Sequence, residues 1–105
     1  MFLRSFFGCS LVAVALSAAA ADFVVDQKDK QFSVSRLKIK VNDTVNFVNN
    51  DPFFHNVFSL SDARTFDLGS YPQGQGRKIT FNNPGLVEVE CAIHPQMKLT
   101  VEVTK

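Results

Sequence analysis

Hydrophobic and polar residues alternate with a period of two over most of the chain. Leu37, Ile39 and Val41 alternate with Arg36, Lys38 and Lys40, and Val45 and Phe47 with Thr44 and Asn46. Ile79 and Phe81 follow Lys78 and Thr80. Val87 and Val89 alternate with Glu88 and Glu90, and Leu99, Val101 and Val103 with Lys98, Thr100, Glu102 and Thr104. Successive side chains of an extended backbone point to opposite faces, so each run predicts a strand with one apolar and one solvated face, as in antiparallel sheets. No useful length shows a helical period. Turn-forming residues separate the runs: Asn42-Asp43, Asn49-Asn50-Asp51-Pro52 and Asn82-Asn83-Pro84-Gly85. Short strands punctuated in this way predict an all-β sandwich or barrel. Residues 59–76 are the least regular stretch. They hold Gly69, Pro72, Gly74 and Gly76, with Phe66 and Leu68 as anchors, and read as a loop with one short strand.

The first 21 residues do not fit this pattern. Arg4 precedes a mostly apolar run over residues 6–16, and residues 17–21 are all small. Ala19-Ala20-Ala21 satisfies the small-x-small rule for leader cleavage, which divides the chain into a leader, 1–21, and one domain, 22–105. The run is short for a membrane span and has no positive flank after it, so no stable membrane insertion is expected. Such a leader directs the domain to the periplasm.

Removing the leader leaves 84 of the 105 residues, with ten basic and ten acidic side chains. A net charge near zero gives no reason to expect nucleic acid or an anionic membrane as partner. One cysteine remains, Cys91, so no internal disulfide can form in an oxidising compartment. A metal would occupy and protect that thiol. Eight phenylalanines remain, and with tryptophan absent they are the expected bulk of the core.

Candidate chemistry gathers at Cys91-Ala92-Ile93-His94-Pro95-Gln96-Met97, with the other histidine, His55, far upstream beside Asn56. One thiolate, two imidazoles and one thioether suit copper: soft sulfur favours Cu(I), and imidazole accepts both oxidation states. Zinc would usually want four nitrogen, thiolate or oxygen ligands or an open water position, and methionine is a poor choice for either. Val87, Val89 and Cys91 share one parity, which turns the Cys91 thiol into the domain. His94 is expected beyond the strand end, in a loop, and His55 on a segment reaching in from across the sandwich. A nucleophilic enzyme is disfavoured, because no orienting or oxyanion residue stands out beside Cys91 and a histidine.

The stretch Phe32-x4-Leu37-x-Ile39-x-Val41-Asn42-Asp43-x-Val45-x-Phe47-x-Asn49-x-Asp51-x3-His55-Asn56-Val57, together with Pro84-Gly85-x5-Cys91-x2-His94-x2-Met97, resembles the small blue copper proteins, or cupredoxins. Two residues between His94 and Met97, with Pro95 after the histidine, match the amicyanin spacing. The resemblance implies a Greek-key β-sandwich and a single copper ion bound by His55, Cys91, His94 and Met97. It implies a monomeric, non-enzymatic electron carrier with redox-protein partners: a c-type cytochrome and methylamine dehydrogenase or another periplasmic dehydrogenase, in a methylamine utilisation context. The alternative with the same ligands is a copper chaperone or resistance protein, but Met97 is the one methionine after the leader, where such proteins carry clusters. Asn42 replaces the family's usual glycine at a turn that asparagine tolerates. Asn56 is expected to tie the ligand segments together. Ile93 stands where relatives have proline and has an N–H that could reach the Cys91 sulfur. Pro52, Phe53 and Pro95 form the expected partner patch around the His94 edge.

Overall fold

The computed structural model describes residues 19–105. Among these there is no helix, and hence none long and apolar enough to cross a membrane. The strands are β1 (Asp22–Lys28), β2 (Gln31–Phe32), β3 (Arg36–Lys40), β4 (Thr44–Asn49), β5 (His55–Ser61), β6 (Arg64–Tyr71), β7 (Gly76–Thr80), β8 (Gly85–Cys91) and β9 (His94–Thr104). They form two sheets, one ordered β2-β1-β4-β7 and the other β3-β9-β8-β5-β6. The pairs β1–β4 and β3–β9 are parallel, and the remaining neighbours are antiparallel. The fold is a Greek-key β-sandwich.

The alternation seen in the sequence is the alternation of burial. Val87, Val89 and Cys91 on β8, and Met97, Leu99, Val101 and Val103 on β9, all face the core. Between them Lys98 pairs with Glu90 and Thr100 with Glu88 on the outer face. Phe47 lies at the centre, edge-on to Phe32 with ring centroids 6.3 Å apart and 6.1 Å from Phe66, which in turn meets Phe81 edge-on at 6.2 Å. The phenylalanines supply less of the core than their number promised. Phe32, Phe47, Phe66 and Phe81 are buried, but Phe54 is 52% exposed. Asn42 has φ 77°, so the turn between β3 and β4 is left-handed and asparagine tolerates it as expected.

Residues 59–76 are not a loop. β5 and β6 form an antiparallel hairpin through residues 62–63. The period-two pattern fails there for a physical reason. Asn56 faces Ser70 but Phe58 faces Asp67, so β6 spends an extra residue where Gly69 takes φ 71°. This bulge shifts the phase, and Phe66 and Tyr71, of opposite parity, both point inward.

Candidate metal centre

β8 carries its inward parity to its last residue and so delivers the Cys91 sulfur to one end of the sandwich. A two-residue turn, Ala92-Ile93, returns the chain, and His94 opens β9 directly opposite Cys91. β5 lies against β8, with Val57 opposite Cys91, and its first residue is His55. Two expectations are corrected here. His94 belongs to a strand rather than to a loop beyond it, and His55 comes from the neighbouring strand of the same sheet, not from across the sandwich. The β5–β8 pairing was hidden because it joins segments some 35 residues apart.

The Cys91 Sγ lies 3.6 Å from His55 Nδ1 and 3.6 Å from His94 Nδ1. All three atoms fall within 4.8 Å of one another. Metal–sulfur and metal–nitrogen bonds of about 2.3 and 2.0 Å at trigonal or tetrahedral angles span roughly 3.5–3.7 Å between donors. The observed separations therefore fit a shared ion, and the thiolate–imidazole set fits copper. Met97, three residues past His94, is 1% exposed and turned inward. His55 is fully buried and Cys91 nearly so, whereas His94 is half-buried and opens to the surface.

The Asn56 backbone ties the ligand segments together. Its N–H donates to the Cys91 sulfur at 3.4 Å, and its carbonyl accepts from the Ala92 N–H at 2.9 Å. Ile93 is 55% exposed, and no hydrogen bond joins its N–H to the sulfur. Pro52, Phe54 and Pro95 are exposed, and Pro95 directly follows His94 in the chain. Phe53 is half-buried and packs on both imidazoles, its ring centroid 5.5 Å from that of His55 and 5.3 Å from that of His94.

Sequence reasoning missed the residue that fixes His55. The Asp51 Oδ2 lies 2.7 Å from His55 Nε2, leaving Nδ1 turned toward the sulfur. Asp51 also accepts from the amides of Asp29 at 2.7 Å and Lys30 at 3.1 Å. Burial opposes its ionisation, but the hydrogen bonds from His55, Lys30 and Asp29 outweigh that and hold its carboxyl below the usual range. Asn49, fully buried, braces the same turn: Oδ1 accepts from the Asp51 N–H at 2.8 Å, and Nδ2 donates to the carbonyls of Phe53 and Tyr71. The signal for this network was an acidic residue four before His55 inside a polar turn, legible only once His55 was read as a ligand. At His94, burial, His55 and Lys30 all disfavour the imidazolium and lower its pKa against an opposing pull from Asp51.

The profile described as copper binding proteins, plastocyanin/azurin family, matches residues 19–104. A methylamine utilization protein, MauL, from Methylorubrum extorquens is 30% identical over 95 residues, covering 90% of this chain and 83% of the relative. A reduced single-substitution variant of amicyanin superposes with a TM-score of 0.70 at 28% identity, over 76% of this chain and 79% of that one. The copper-containing nitrite reductase of Thermus scotoductus superposes with a TM-score of 0.73 at 28% identity, over 91% of this chain. This chain spans only about a quarter of that enzyme, 25% of its length. Sequence match, sandwich topology and the converging sulfur and nitrogen donors agree: the chain belongs to the plastocyanin/azurin family of copper-binding proteins and is a small cupredoxin close to amicyanin.

Proposed function

We propose that this protein is a periplasmic carrier of single electrons that performs no substrate chemistry of its own. His55 Nδ1, Cys91 Sγ, His94 Nδ1 and the Met97 sulfur hold one copper ion. Bound there, copper supplies a one-electron couple between Cu(I) and Cu(II). The two 3.6 Å sulfur–nitrogen separations carry this reading, because they match the spacing of donors that share one ion. A mixed sulfur and imidazole donor set suits a carrier that must change oxidation state with little rearrangement.

The protein's own residues divide the work. Asp51 holds His55 in one tautomer and orientation, and the Asn56 N–H stabilises charge on the sulfur. Phe53 closes the space beside both imidazoles. His94 provides the accessible edge, and Pro52, Phe53, Pro95 and Phe54 around it form an apolar surface suited to brief encounters with other redox proteins. The partners in this reading are a c-type cytochrome and a periplasmic dehydrogenase. Similarity to a methylamine utilization protein favours methylamine dehydrogenase as the electron donor.

The test is the visible spectrum of the protein titrated with Cu(II). One equivalent is expected to produce an intense thiolate-to-copper charge-transfer band, lost in Cys91→Ser. A colourless protein would overturn the copper assignment. Stopped-flow mixing with a reduced c-type cytochrome is expected to bleach the band rapidly, and failure to exchange electrons would overturn the carrier role.

A further inference from the structure

At the pole opposite the metal centre, the chain enters the sandwich through Ala21. Among the described residues it is the first whose backbone is hydrogen-bonded on both sides. Its N–H donates to Asp43 Oδ1 at 2.8 Å, and its carbonyl accepts from the Thr44 N–H at 3.0 Å. The second bond continues the parallel β1–β4 ladder one residue upstream of Asp22, which faces Thr44. Asp43 is 6% exposed. Its other oxygen accepts from the Lys40 N–H at 2.9 Å, and its own main chain is held by the Lys40 carbonyl and the Phe81 N–H. The carboxylate is thus fixed by the β3–β4 turn and aimed at the Ala21 nitrogen.

Three successive bonds in the alanine run satisfy the small-x-small rule: those after Ala19, Ala20 and Ala21. Sequence alone therefore leaves the cleavage register open. Cleavage after Ala21 would strip Thr44 of its acceptor and Asp43 of a donor. Cleavage after Ala20 would keep both bonds and turn the donor from a neutral amide into an α-ammonium facing a buried carboxylate. Charge-assisted hydrogen bonds are roughly twice as strong as neutral ones.

We propose that Asp43 is a docking site for the new N-terminus: the leader is removed after Ala20, and the freed Ala21 ammonium pairs with the Asp43 carboxylate. Hydrolysis of the Ala20–Ala21 peptide bond by a signal peptidase consumes one water, leaving a carboxylate on the leader and an amine on the domain that is protonated at neutral pH. Maturation then stabilises the exported form, because the precursor can offer Asp43 only an amide. This rests on the reading that the chain is exported with a cleaved leader, and it revises the boundary after Ala21 by one residue.

Intact-mass analysis of the protein recovered from the periplasm after expression of the full chain tests the register. The expected product is residues 21–105. A product starting at Asp22 or Ala20 would overturn the inference while leaving export and copper binding intact, and an uncleaved chain would overturn both it and the leader reading. Thermal unfolding tests the pairing. A form that retains Ala20 carries the same net charge but presents an amide at Ala21. It is expected to melt lower than residues 21–105 by on the order of 5 °C. The gap should shrink to near zero when both forms carry Asp43→Asn. An equal gap in the two backgrounds would show that the ammonium does not act through Asp43.

Discussion

The buried imidazole of His55 is held by Asp51, with 2.7 Å between Nε2 and Oδ2. The same carboxylate caps the amides of Asp29 and Lys30, the two residues of the β1–β2 turn, both at positive φ without being glycine. One side chain therefore stabilises a strained turn in one sheet and orients a metal-facing ring in the other. Asp51→Asn replaces an acceptor for three donors by a group with one acceptor oxygen. The apoprotein is expected to lose about 1–3 kcal/mol, measured by urea unfolding. Copper affinity should fall about 10–100-fold in a competitive titration. An unchanged affinity would remove Asp51 from the metal site.

Met97 packs in the core, and substitution can separate that role from the copper ligation proposed for it. Met97→Ala opens a cavity in a site 1% exposed and should cost the apoprotein about 2–5 kcal/mol. Met97→Leu nearly conserves volume, so its apoprotein should stay within about 1.5 kcal/mol of the parent. If the thioether faces the ion, Met97→Leu still alters the absorption spectrum and midpoint potential of the copper-loaded protein. Unaltered optical and redox properties would leave Met97 a packing residue only.

Tyr71 stands opposite His55 in the β5–β6 pair, yet its hydroxyl serves the core. It accepts from Gln27 Nε2 at 2.8 Å and donates to the Phe47 carbonyl at 3.0 Å. Burial pushes its pKa up to about 12, so it stays neutral. Tyr71→Phe strands the Gln27 amide in the interior and should destabilise by about 1–3 kcal/mol, read as a lower denaturation midpoint at constant m-value. The copper band should not move; a shifted band would place the hydroxyl in the metal's environment.

Phe54 is the side chain that best isolates docking from folding. It is half exposed, while its neighbour Phe53 packs on the imidazoles. Phe54→Ser is expected to change stability by no more than about 0.5 kcal/mol and to leave the spectrum intact. Its rate of electron exchange with a c-type cytochrome should drop. A parental rate would move the docking surface elsewhere.

Ile93→Pro removes an N–H that makes no bond to the sulfur. The midpoint potential is therefore expected to match the parent's, measured by protein-film voltammetry. A fall would show that the sulfur accepts from this amide once metal is bound.

Much of this was legible from side-chain parity. Val87, Val89 and Cys91 announced an inward thiol, and the run from Leu99 to Val103 announced the strand beside it. Parity failed where backbone geometry altered the count, at the Gly69 bulge. It was silent on which strands become neighbours, so His55 was placed on the wrong part of the sandwich. Asp51 escaped notice because an aspartate before proline in a polar turn reads as solvated. Only the fold shows the carboxylate buried with three donors around it.

The tip joining β8 to β9 is two residues long, and Cys91, His94 and Met97 all lie at or beside it. The hairpin can therefore be treated as an exchangeable cartridge. Lengthening or rewriting it would retune the redox centre while the opposing four-stranded layer, Asp51 and His55 stay in place as a fixed receptacle.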